Sequence, residues 1–243
     1  MKGVILAGGL GTRLRPLTNV TNKHLLPVYD KPMIFYPIKT LVGAGITSIL
    51  IVTSGPHVGH FLGLLKNGKE LGIKHLEYAY QEKPDGGIAD ALSLAEDFAD
   101  NDNIAVILGD NTTDADISSS VSNFSEGAFV FLKKVPDPKR FGIAEFDKND
   151  GKKIIKIHEK PENPVSDMAV TGLYMYDKSV FEIVRQIEPS ARGELEITDV
   201  NNAYIEKGKL GWAELNGFWA DAGTFDTLYN VNKYWAEKQG GKE

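Results

Sequence analysis

The chain contains no cysteine, which removes disulfide bridges and thiolate metal sites from consideration. It has no apolar run near the ~20 residues needed to span a bilayer, and its opening residues, Met1 Lys2 Gly3 Val4, carry no signal-peptide pattern. The cytoplasm is the expected location, with no membrane partner. Excess positive charge is missing too: 27 Lys and Arg against 33 Asp and Glu leave a net charge of −6. A general nucleic-acid binder shows a net basic face, so nucleic acid is not an expected partner and any phosphate-bearing ligand should be small. No repeat period or low-complexity stretch is present.

What the chain does have is enough apolar residue, 42% of 243 positions, to bury a substantial core. One continuous domain over residues 1–243 is expected. Apolar β-branched runs at Ile49–Thr53 and Ile104–Leu108 read as buried strands, with Leu76–Tyr80 as another. Between them, helical spacing covers Met33–Val42, Val58–Lys66 and Ile88–Phe98, the first two stopping at glycine. The first half is therefore a parallel, doubly wound α/β layer. After Asp110 the texture changes to hairpin-like strands at Ala128–Leu132, Gly142–Phe146, Ile154–Ile157 and Val170–Tyr176, with a turn at Asn149 Asp150 Gly151. Ser179 is placed to cap a helix reaching Ile187, a second helix covers Ile197–Lys207, and Thr224 is placed to cap a last one reaching Lys238. Gln239 to Glu243 read as a frayed tail.

The strongest local signal is the apolar run Val4 Ile5 Leu6 Ala7, which breaks into Gly8 Gly9 Leu10 Gly11 Thr12 Arg13 Leu14 Arg15 Pro16. Glycines allow backbone amides to approach a ligand closely, and consecutive inward N–H groups form an anion cradle. Arg13 and Arg15 add forked, permanently charged donors suited to polyphosphate. A Walker loop is excluded because no Gly-Lys-Ser/Thr follows, and a dinucleotide fingerprint lacks its third glycine where Leu14 stands.

In open α/β sheets, ligands bind beyond the carboxyl ends of the strands. Gly109 Asp110 Asn111 follows such a strand, and Asp221 in Trp219 Ala220 Asp221 Ala222 Gly223 Thr224 precedes a helix. A pair of carboxylates beside a phosphate cradle suits Mg²⁺, a hard cation shared between protein acids and substrate phosphates. Asp110 alone could also close a turn, and Asp221 alone reads at least as readily as a helix N-cap. Lys23 and Lys160 sit near prolines that restrict the backbone, as phosphate contacts would need. Gln81, followed by Pro84 Asp85 Gly86 Gly87, has a side chain able to read a base edge or simply to close a loop.

Taken in order, these segments resemble the sugar-nucleotide pyrophosphorylases. The resemblance spans almost the whole chain: Val4–Pro16, the block Lys23 His24 Leu25 Leu26 Pro27 Val28 Tyr29 Asp30 Lys31 Pro32 Met33, Gly109–Asn111 and Glu159 Lys160 Pro161. Ala169–Tyr174 and Pro189–Asn201 match the thymidylyl-transferring branch in particular. The resemblance implies a Rossmann-like three-layer α/β fold whose sheet is mixed but mostly parallel. It implies a nucleotide-binding half over about residues 1–110 and, with added antiparallel strands, a sugar-phosphate-binding half over about 111–243. The implied nucleotide contacts are Leu6, Gly8, Gly9, Gly11, Thr12, Arg13, Gln81, Gly86 and Asp110, with Gln81 and Gly86 at the pyrimidine. Gly142, Glu159, Lys160, Val170 and Arg192 would surround the sugar phosphate. Arg13, Lys23, Lys160, Asp110 and Asp221 would carry catalysis, with Mg²⁺ on the two aspartates.

The reaction implied is dTTP plus glucose 1-phosphate giving dTDP-glucose and pyrophosphate by direct in-line displacement. UTP, or another sugar 1-phosphate, is the nearest alternative, because a thymine methyl is worth only about 1 kcal/mol in an apolar pocket. A non-catalytic sugar-nucleotide sensor is the alternative from another class. A homo-oligomer is expected, of a short form that ends before the regulatory segment of longer relatives. Where relatives read Pro-Asp-Gly-Leu-Ala-Gln, this chain has Pro84 Asp85 Gly86 Gly87 Ile88 Ala89 Asp90; Thr112 Thr113 Asp114 and His158 also depart from the pattern.

Overall fold

A computed structural model describes residues 1–240. Its strands are β1 (Lys2–Ala7), β2 (Pro27–Val28), β3 (Lys31–Pro32), β4 (Ser48–Thr53), β5 (His75–Tyr80), β6 (Ile104–Leu108) and β7 (Asn111–Thr113). The second half adds β8 (Ala128–Lys134), β9 (Gly142–Phe146), β10 (Ile154–Glu159), β11 (Met168–Tyr176), β12 (Leu210–Glu214) and β13 (Trp219–Asp221). The helices are α1 (Phe35–Gly43), α2 (Val58–Leu65), α3 (Ile88–Ser93), α4 (Glu96–Ala99), α5 (Ser118–Asn123), α6 (Val180–Val184), α7 (Ile197–Glu206) and α8 (Phe225–Gly240).

Alternation along the strands explains the layers. Val4 and Leu6, Leu50 and Val52, and Ile104 and Val106 face a core shared with α3, α6 and α7. Ile5 and Ala7, Ile49 and Ile51, and Ala105 and Ile107 face the opposite core, under α1 and α2. Strands apolar on both faces require helices on both faces, the doubly wound layer expected from the runs and the three-layer fold that the resemblance implies. A third, smaller core beneath α8 holds Leu14, Leu26, Val28, Met33 and Val231.

The nine-stranded sheet has the order β10-β9-β11-β6-β1-β4-β5, with β8 beside β11 and β12 beside β8. β5, β4, β1 and β6 are mutually parallel, whereas β11 runs against β6, β8 and β9, and β10 against β9. From β1 the chain winds outward through β4 and β5, then returns to β6 on the other flank of β1. The reversal leaves a crevice beyond the carboxyl ends of β1 and β6, the position that favours ligands in such sheets.

Several local expectations change. The helix expected over Ile88–Phe98 breaks into α3 and α4 around Leu94 and Ala95. Ser179 precedes α6, which stops at Val184, but its side chain makes no cap; its hydroxyl and N–H instead both donate to Asp177. Thr224 does cap α8: its Oγ1 accepts from Thr227 N–H at 3.3 Å, and Thr227 Oγ1 accepts from Thr224 N–H at 3.0 Å, a reciprocal box. α8 continues through Gln239 and Gly240 rather than fraying at Lys238, while the rest of the expected tail lies outside the described residues. Among the described residues, no helix is long and apolar enough to cross a membrane.

Candidate active site

The two aspartates are brought together by backbone pairing. β7 follows directly on Asp110, β13 ends at Asp221, and the antiparallel register sets Asp221 opposite Asn111. Ala222 N–H then donates to the Asp110 carbonyl at 2.9 Å, so a main-chain bond ties the two segments together. Asn111 anchors this corner: it is buried, and its Oδ1 accepts from Trp219 Nε1 at 2.7 Å and from Gly172 N–H at 3.1 Å.

Gly223 marks where the side chains converge. A Cβ placed there would lie 2.9 Å from Asp221 Oδ2, 3.3 Å from Arg13 Nη2 and 3.6 Å from Asp110 Oδ2. Two carboxylates and one guanidinium therefore face a single small space, kept open by the missing side chain. Arg13 reaches it from a short 3₁₀ turn, Thr12–Leu14, whose buried Leu14 fixes the turn and whose preceding residue, Gly11, adopts φ of +59°. Thr18 Oγ1 donates to the Gly11 carbonyl at 2.9 Å.

Each acid is paired with one base. Lys23 Nζ donates to Asp110 Oδ2 at 2.6 Å with both side chains only 13% exposed, and Arg140 Nη2 donates to Asp221 Oδ2 at 2.8 Å. Burial alone would raise the Asp110 pKa, but the charge and hydrogen bond of Lys23, with the Asn111 amide at 2.9 Å, hold it well below the usual carboxylate range. Asp221 is pushed up from its ordinary value because burial and the neighbouring Asp110 charge outweigh Arg140. His24 is driven down to about 3 by burial and by the Lys23 charge, so it stands here as a neutral ring.

The space opens into a cavity of about 410 Å³ that runs along the crevice. It brings together Leu6, Gly8, Gly9, Arg13, Lys23, Gln81, Asp110, Gly142, Glu159, Lys160, Val170, Arg192 and Asp221 from the residues expected of the site. Gly11, Thr12 and Gly86 do not line it, nor does Arg15. Gly11 supports the arginine turn, and Arg15 is exposed beyond it. Gly86 makes room for Asp90, whose Oδ2 would lie 2.5 Å from a Cβ at that position. One expected cradle amide is already engaged, since Gly9 N–H donates to Ser54 Oγ at 3.1 Å.

The far end of the cavity is built on β10 and α7. Glu159 Oε2 accepts from Thr198 Oγ1 at 2.6 Å, and its Oε1 lies 3.1 Å from Lys160 Nζ and 3.2 Å from Arg192 Nη2. Arg192 also donates to Glu196 Oε1 at 2.8 Å. Lys160 holds φ of +42°, a left-handed conformation unusual for a side-chain-bearing residue, with its N–H bonded to the Phe141 carbonyl at 3.0 Å. Arg140, Asn111, Trp219 and Thr198 line the cavity but were not expected there. Asn111 and Trp219 flank the two aspartates in the chain, whereas Arg140, in the turn before the strand that opens at Gly142, carried no signal of its own.

Comparison with known proteins identifies the family. The model of the nucleotidyl transferase family matches residues 2–238. The glucose-1-phosphate thymidylyltransferase of Neisseria meningitidis is 45% identical over 240 residues, covering 96% of this chain and 82% of that protein. Its counterpart in Mycolicibacterium smegmatis is 43% identical, with the same two shares covered. A Bacillus anthracis protein assigned as a glucose-1-phosphate thymidylyltransferase, crystallised with a sucrose, is 49% identical with a TM-score of 0.90, over 96% of this chain and 94% of that one. A UDP-glucose pyrophosphorylase bound to UDP-glucose shares the fold at 22% identity and a TM-score of 0.83, over 98% of each chain. With the family model, the relatives and the shared fold in agreement, the chain belongs to the nucleotidyl transferase family.

Proposed function

We propose that the chain transfers a thymidylyl group from dTTP to glucose 1-phosphate, releasing pyrophosphate and dTDP-glucose, with Mg²⁺ held by Asp110 and Asp221. The observation that carries this reading is the convergence of both carboxylates and Arg13 on the space beside Gly223. The relatives named above support the choice of substrates. Two hard oxygen donors aimed at one point fit Mg²⁺, which takes one or two protein carboxylates and completes its shell with phosphate oxygens and water. When bound, the ion supplies charge neutralisation and alignment of the phosphate oxygens.

The chain's own residues do the rest. Gly8, Gly9 and Arg13 receive the triphosphate, Gln81 the base, and Lys160 and Arg192 the sugar phosphate, whose hexose rests against Glu159, Val170 and Gly142. A phosphate monoester oxygen is already a nucleophile at neutral pH, so the task is to bring two polyanions into line. Its bond to the α-phosphorus forms as the bond from that phosphorus to the bridging oxygen of pyrophosphate breaks, with no covalent enzyme intermediate. Arg13 neutralises charge growing on the departing pyrophosphate. Lys23 and Arg140 balance the two acids and are further donors facing the same cavity.

Incubating the purified protein with dTTP, glucose 1-phosphate and Mg²⁺ should release pyrophosphate; none released would sink the reading. A second reading, UTP as donor, is favoured by one observation: no donor among the described residues pairs with Gln81 Oε1, an acceptor that would meet the same ring N–H in uracil and thymine. Competition between dTTP and UTP decides between them.

A further inference from the structure

We propose that Asp90 is a positioning residue that fixes the direction of the Gln81 side-chain amide, so that the nucleotide pocket accepts a ring N–H from the base and rejects cytosine. The inference rests on the reading of this cavity as a nucleotide site. Gln81 is only 3% exposed, and its Nε2 donates to Asp90 Oδ2 at 2.8 Å and to the Gly87 carbonyl at 3.3 Å. An amide nitrogen carries two hydrogens, and both are taken by groups that can only accept. Turning the amide over would set its oxygen against a carbonyl and a carboxylate in a buried position, leaving three acceptors without a donor.

The surrounding backbone is shaped to hold this arrangement. Asp90 lies in the first turn of α3, and its carboxylate fills the place where Gly86 lacks a side chain, 2.5 Å from the Cβ that position would carry. Gly87 adopts φ of +95°, and a Cβ there would come within 2.4 Å of the Leu195 carbonyl oxygen, so only glycine presents its carbonyl to Gln81 in this way. Asp90 itself does not line the cavity, whereas Gln81, Gly87 and Ile88 do.

The amide oxygen is thereby committed. Gln81 Oε1 points toward the end of β1, 2.6 Å from where a Cβ on Gly8 would sit, and no protein donor among the described residues pairs with it. Thymine and uracil offer N3–H to such an acceptor. Cytosine offers the N3 lone pair instead, so acceptor meets acceptor. A free amide would turn over to suit either base; the amide held by Asp90 does not.

The test is calorimetric binding of dTDP and dCDP, with Mg²⁺, to the wild-type protein, Asp90→Asn and Asp90→Leu, each checked for an intact thermal transition. Wild type should prefer dTDP by about 100-fold or more. Asn at position 90 can donate as well as accept, so Asp90→Asn should narrow that preference by about tenfold, chiefly through tighter dCDP binding. Asp90→Leu, which removes the acceptor, should narrow it too. A preference unchanged within about twofold in both folded variants, or absent from wild type, would overturn the proposal. Because binding needs no turnover, a wild-type protein that prefers dTDP yet releases no pyrophosphate, with the preference narrowed in the variants, would defeat the thymidylyl-transfer reading and uphold this one.

Discussion

At one end of the cavity each acid has its own base, Lys23 for Asp110 and Arg140 for Asp221; at the other end Arg192 is shared among Glu159, Glu194 and Glu196, with Lys160 also against Glu159. The first pair of bridges is largely buried, whereas the Arg192 side chain is 42% exposed. Removing one partner from a buried pair leaves an uncompensated charge at a cost of about 3–5 kcal/mol, while exposed pairs contribute about 0–1 kcal/mol. Under the proposed function, rigid, one-to-one neutralisation suits the end where phosphorus would be attacked. An exposed, shared network suits the end that would take up a sugar phosphate and release it.

The sharpest way to break this contrast is to neutralise the acids. Asp110→Asn and Asp221→Asn should each lower kcat by about 100-fold or more, the scale of losing charge stabilisation in a transition state. Near-normal steady-state turnover in both would remove the aspartates from catalysis. Next in size is a crossover: Arg13→Ala should raise KM for dTTP by about tenfold with less effect on glucose 1-phosphate, and Lys160→Ala should do the reverse. Equal effects on both substrates would erase the division of the cavity into two ends.

A pH profile sharpens the comparison further. Asp221 must be ionised to hold a cation, and burial with the Asp110 charge already raises its pKa; Arg140 is the counterweight. Arg140→Met should therefore move the acidic limb of kcat/KM to higher pH, so that activity is lost earlier as pH falls. A limb that stays in place would show that Arg140 does not set the charge of Asp221. The smallest effect belongs to a surface bridge outside the cavity, Arg185 with Glu96, at 2.6 Å and about half exposed on each side. Arg185→Ala should change the urea unfolding free energy by less than about 1 kcal/mol.

Much of the scaffold was legible because β1, β4 and β6 are continuous apolar runs, a pattern produced by burial on both faces of a sheet. β12 and β13 were not: Leu210–Glu214 is only partly buried at the sheet margin, and Trp219–Asp221 is three residues long, too short for any period to emerge. The failed cap at Ser179 has the same origin, since Asp177 two residues earlier takes the hydroxyl that a local reading assigns to the helix. In the site, Asp110 and Asp221 stood out by residue type and flanking pattern. Arg140 did not, because its meaning depends on Asp221, brought near by the β7–β13 pairing rather than by neighbourhood in the chain.

That short ladder has a consequence for dynamics. The spacing of the aspartates is maintained by main-chain pairing, including Ala222 N–H on the Asp110 carbonyl, so their carboxylates can exchange an ammonium or guanidinium partner for another cation while the peptide frame stays still. The Ala222 amide proton is in effect a seal on the corner that holds the two aspartates. Its rate of deuterium uptake reports, without any substrate, whether the corner is closed.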